Sequence, residues 1–140
     1  MKSSKFWIAV IAASVAVNIL DFVVQGMWLA GAVYSKMPET FTMDTNPVWF
    51  VVGDIVAIFV LAWVYDRVYG SFGGAMKGGA VYGLYAGILV NFPMFIFVHL
   101  MIRGFSYHLA WIMTVYGVIW TVIAGAIIGP IYKKGAVPVA

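Results

Sequence analysis

The chain has no cysteine. Disulfides, thiolate metal sites, iron–sulfur clusters and cysteine nucleophiles are therefore excluded. Charge is also scarce: Asp, Glu, Lys and Arg make up 9% of the residues, against about 25% in an average soluble domain. A chain with this balance cannot cover itself with a wetted surface. Motifs that carry chemistry are missing too, with no P-loop, G-x-S-x-G, H-E-x-x-H or Glu-x-x-His. The sequence therefore points to a protein that is not an enzyme. No gap between the apolar stretches is long enough to bury a core of its own, so residues 1–140 read as one domain.

What is present is apolar. Hydrophobic residues account for 64% of the chain and the mean hydropathy is +1.01. Four stretches, at 6–33, 48–65, 80–102 and 109–132, meet or nearly meet the ~20 residues that a transmembrane helix needs. The expected fold is an all-α integral membrane protein, an antiparallel bundle of four transmembrane helices with lipid as its main partner. Six Trp and eight Tyr suit the interfacial belts where amphipathic rings settle. The first stretch reads as a retained helix, not a cleaved signal. It far exceeds the about 7–15 apolar residues of a signal-peptide core, and it contains Asp21.

Basic residues set the expected orientation. With the N-terminus in the cytoplasm, Lys2, Lys5, Arg67, Lys77, Lys133 and Lys134 lie inside and only Lys36 and Arg103 outside. This asymmetry follows the positive-inside rule and puts both termini in the cytoplasm. It also accounts for the net charge of +3 without nucleic acid. The glycine-rich gap at 66–79, with Arg67 and Lys77, reads as a flexible positive-inside loop, or as a contact for lipid phosphates.

Small residues recur every four positions on the last two helices: Ala75, Gly79, Gly83 and Gly87 on one, Gly117, Thr121, Gly125 and Gly129 on the other. Close backbone approach is a main source of helix association in lipid, so these ladders predict a tight pair.

Polar residues within the stretches are few and informative. Ser14, Asn18, Asp21, Gln25 and Trp28 form a heptad-like stripe on the first helix. Counting inward from the helix ends gives two expected levels: Asn18, Asp21, Asn91 and Thr121 in the middle, Gln25, Asp54 and His99 further out. A carboxylate at the centre of a bilayer costs about 2.5–3.5 kcal/mol, so Asp21 must face protein or water and marks a functional site by default. No Lys or Arg lies within the four stretches to neutralise it. Two readings stay open. A protonated Asp21 can hydrogen-bond Asn91 and Asn18 as structural glue, or the seam is a proton- or ion-responsive site. His99 and His108 flank the short outer hairpin, at one membrane face, and are the candidates for haem or metal. Lone interfacial histidines more often serve as snorkelling or hydrogen-bonded anchors, so no cofactor is expected.

The runs Val17-Asn18-Ile19-Leu20-Asp21-Phe22, Trp49-Phe50-Val51-Val52-Gly53-Asp54 and Gly83-Leu84-Tyr85-Ala86-Gly87, the last leading to Asn91-Phe92-Pro93, resemble those of small four-span bacterial membrane proteins of uncharacterised function. That resemblance implies a four-helix protein of the bacterial inner membrane and brings no activity with it. The leading expectation is an accessory or scaffold subunit of a membrane assembly or a homo-oligomer. The alternatives are a small proton- or ion-coupled transporter or channel built on the Asp/Asn seam, and a haem- or metal-binding protein.

Overall fold

The computed structural model describes residues 4–41 and 46–132. Lys2, Asp44, Lys133 and Lys134 lie outside the described residues. Four long helices account for almost all of the rest. Helix α1 spans Ser4–Asp21, continues as a π-helix over Phe22–Leu29, and closes with the turn Ala30–Ala32. Helices α2 (Val48–Phe72), α3 (Met76–Met101) and α4 (Tyr107–Ile131) follow. All four are long and apolar enough to cross a membrane.

Local chemistry explains the ends. Asn46 Oδ1 accepts from the Val48 backbone N–H at 3.0 Å, so the Asn46-Pro47 pair opens α2. Helix α2 does not stop near residue 65 as its hydropathy suggests. It runs on through Asp66, Arg67 and Gly70 to Phe72 and ends at Gly73, whose φ of 74° suits a residue without a Cβ. The glycine-rich gap expected at 66–79 is thereby reduced to a tight turn, with Gly78 and Gly79 already inside α3. Ser106 caps α4, its hydroxyl accepting from Leu109 N–H at 3.1 Å.

Helices α3 and α4 pack backbone to backbone. A Cβ on Gly79 would strike the Gly125 carbonyl and the Gly129 Cα, and one on Gly83 would strike the Thr121 carbonyl and the Val122 Cα. Gly87 lies against Thr121 and Val118, and Gly117 against the Asn91 carboxamide. Helix α1 buries Phe6, Ala9, Val10, Ala13, Ser14 and Val17, a stripe at helical spacing, against α4 and α2. Helix α2 buries only Ile58, Ala62 and Tyr65. It leans on α1 and meets α3 mainly near the turn that joins them.

Elsewhere the helices present large apolar side chains outward. Leu89 is 76% exposed and Met101 82%. Apolar surface on this scale is compatible with a multi-pass membrane protein and not with a monomer in water.

Candidate functional site

Because α2 leans away from the α3–α4 pair, a cleft of about 890 Å³ lies between them. Its walls are almost wholly apolar. Val60, Val64 and Val68 face it from α2, and Leu89, Val90 and Met94 from α3. Packed clusters adjoin it on two sides. Toward the chain termini, Phe6, Tyr65, Tyr82 and Tyr132 form an aromatic cluster. There Tyr82 donates to the Leu61 carbonyl at 2.8 Å and Tyr65 to the Gly73 carbonyl. At the other end Phe105, Leu109 and Ala110 pack with Met37 and Phe41 of the first connection and with Phe95. Between α2 and α3, Val60, Tyr85, Leu89 and Met94 line the cleft and are exposed.

One patch of this cleft is polar. Asp21 and Asp54 meet there, carboxyl beside carboxyl, near enough to interact directly. Tyr116 donates its hydroxyl to one Asp21 oxygen. The Trp120 indole N–H donates to the other at 2.8 Å. Tyr116 and Trp120 are one helical turn apart on α4, so both polar tips reach the same carboxyl. Gln25 lines the cleft beside them and accepts from Tyr34, whose ring stacks near Phe41 with centroids 4.4 Å apart.

The structure brings some of the sequence-derived site residues together and disperses others. Asp21, Gln25, Asp54, Asn91 and Thr121 all line the cleft. The division into two levels does not hold, because Asp54 sits at Asp21, not a layer further out. The π-helix explains this: its i→i+5 bonds wind more residues into each turn, so the outer half of the first span is shorter than α-helical counting assumes. The same insertion rotates later residues off the stripe. Trp28 points outward, 62% exposed.

Nor does Asn91 bind Asp21. Its amide donates to the Gly87 carbonyl at 2.9 Å, while Asn18 donates to the Ser14 carbonyl at 2.9 Å. Both amides satisfy their own helix one turn back. Thr121 does likewise, toward Gly117 and Val118 at 3.1 and 2.9 Å.

His99 does not join the polar patch. Its Nδ1 lies 2.7 Å from the Phe105 carbonyl, where it ties the end of α3 to the hairpin turn. His108 is exposed. Among the described residues no three His, Asp or Glu side chains gather to hold a metal ion.

Sequence reasoning missed Tyr116, Trp120 and Tyr34. The pair on α4 left a readable signal, two aromatics with polar tips at i and i+4 in mid-helix. Tyr34 left none, since it comes from the connection beyond the helix. Comparison with protein-family models, curated proteins and solved structures finds no match to this chain.

Proposed function

We propose that this chain is a multi-pass protein of the bacterial cytoplasmic membrane, both termini inside, and that it works as a small proton- or ion-coupled carrier, not as an enzyme. The observation that carries the reading is the Asp21–Asp54 contact at the polar end of an open cleft. Two carboxyls in contact repel when both are ionised, so such a pair holds a proton between them or a cation beside them. The four apolar stretches contain no Lys or Arg to quench the pair. A site that exchanges a proton for another cation is the coupling element of a carrier.

The scaffold reading has weaker support. The glycine ladders of α3 and α4 meet each other within the chain, which accounts for them without an outside helix. Four helices are few for a complete pathway, so the carrier acts as a homo-oligomer or with a second membrane subunit. The basic residues at the segment ends support the orientation.

Infrared spectroscopy of the protein in lipid nanodiscs tests the reading. At neutral pH the wild type should show the C=O stretch of a protonated carboxyl, lost in Asp54→Asn and altered in Asp21→Asn. A spectrum with no such band, or one unchanged in both variants, would remove the pair from any coupling role.

A further inference from the structure

Resting on that carrier reading, we infer that the cleft takes a lipophilic organic cation from the bilayer, its charge against the Asp21–Asp54 pair and its apolar body between α2 and α3. The volume, about 890 Å³, falls within the about 300–1,000 Å³ typical of small-molecule sites. Such sites are apolar with a few convergent polar groups, and here the polar groups sit at one place. The ligand must therefore be amphipathic, with one compact polar centre.

The sign of that centre follows from the groups around it. Asp54 approaches from α2, Tyr116 and Trp120 from α4, and Tyr34 donates to Gln25 beside them. Helix α3 contributes Asn91, which does not titrate. With one proton shared, this assembly carries a single negative charge and no internal cation. An anion would be repelled, and a neutral headgroup would leave the charge unmatched. A cation neutralises it, and the faces of nearby aromatic rings add to the attraction. A bare metal ion fits less well, because no third His, Asp or Glu side chain gathers with the pair among the described residues and the rest of the lining is mostly apolar. Met94 and Met113, both lining the cleft, give it a surface that adapts to differently shaped apolar bodies.

Entry is from the side. The exposed apolar residues Val60, Leu89 and Met94 line the cleft, so its α2–α3 edge faces lipid. A ligand that dissolves in lipid reaches the carboxyls without crossing water.

Tetraphenylphosphonium and tetraphenylborate are of nearly equal size and shape and opposite charge, so together they isolate the sign of the charge. With full-length protein in phosphatidylcholine nanodiscs and empty discs subtracted, tetraphenylphosphonium should bind saturably, at least about tenfold tighter than tetraphenylborate. Asp54→Asn alone leaves the Asp21 carboxylate and its single charge, so binding should persist, whereas Asp21→Asn combined with Asp54→Asn removes the charge and should weaken it by about tenfold or more. Acidification of the wild type should weaken it toward a limit of about tenfold per pH unit, because a second proton competes for the same charge. Ala86→Trp should block the cleft and abolish binding while the protonated-carboxyl band persists.

Equal binding of the two ions, or tetraphenylphosphonium binding indifferent to both pH and the double substitution of Asp21 and Asp54 by Asn, overturns the inference and leaves the carrier reading standing. Loss of the infrared band from the wild type overturns both. If the carboxyl variants do not fold, the two-ion comparison and the wild-type pH dependence decide.

Discussion

Asp21 receives two hydrogen bonds from α4, one from the Tyr116 hydroxyl and one from the Trp120 indole, while its carboxyl also meets Asp54 of α2. This junction ties α1, α2 and α4 at one point. Removing a donor leaves a partly buried carboxyl short of a partner. Tyr116→Phe is expected to lower stability by about 1–3 kcal/mol, read as a shift in the unfolding transition in detergent. An unchanged transition would show that the bond adds nothing to the fold.

The backbone contact of α3 with α4 makes an opposite pair of predictions for one substitution. Gly83→Ala would drive a methyl into the Thr121 carbonyl and should cost about 1–3 kcal/mol through overpacking. Gly53→Ala meets nothing within 4 Å and should stabilise α2 by about 0.5–1 kcal/mol, since alanine loses less backbone freedom in a helix. Equal effects at both positions would refute the tight packing of the two ladders.

Ser14 is buried on α1 and its hydroxyl finds no partner among the described residues. An unpaired buried hydroxyl costs about 1–3 kcal/mol. Ser14→Ala should therefore be neutral or stabilise by up to about 1 kcal/mol. A clear loss of stability would mean that the hydroxyl is satisfied in the folded protein.

Tyr132, just beyond α4, donates its hydroxyl to Asp66. Burial first, then that hydrogen bond and the carboxylate charge, hold its ionisation well above the ordinary tyrosine value of 10.0. The folded state thus keeps a proton that the unfolded state releases. The stabilisation is fully present below about pH 10 and declines as the pH rises further. The stability difference between wild type and Tyr132→Phe should shrink as pH climbs past that value, measured by unfolding across the alkaline range. A constant difference would exclude the linkage.

Much of the fold can be read directly from residues 79–132. The four-residue spacing of Gly79, Gly83 and Gly87, and of Gly117, Thr121 and Gly125, specifies both helices and their contact face, because only small residues let backbones meet. The end of α2 was hidden. Asp66 and Arg67 read as the end of a span, but charged residues tolerate a helix well, and the stop comes only where Gly73 adopts positive φ. The π-helix was hidden as well. Gly26 is the one helix-weakening residue in Phe22–Leu29, and a single glycine is common in membrane helices, so the register shift that turns Trp28 outward has no specific local mark.

The sequence by itself determined that this chain is four long apolar helices with a few carboxyls and amides among them. Hydropathy over ~20 residues is a local property, and it survives any arrangement of the bundle. Only the tertiary structure decided which polar residues meet. Asn18 and Asn91, the apparent partners of Asp21, bond to their own helices because a carbonyl one turn back is always within reach. Asp54, Tyr116 and Trp120 take their place, because the π-helical winding of the first span and the lean of α2 bring distant segments to the same depth. That long-range geometry turned an isolated aspartate into a paired carboxyl at the mouth of an apolar cleft.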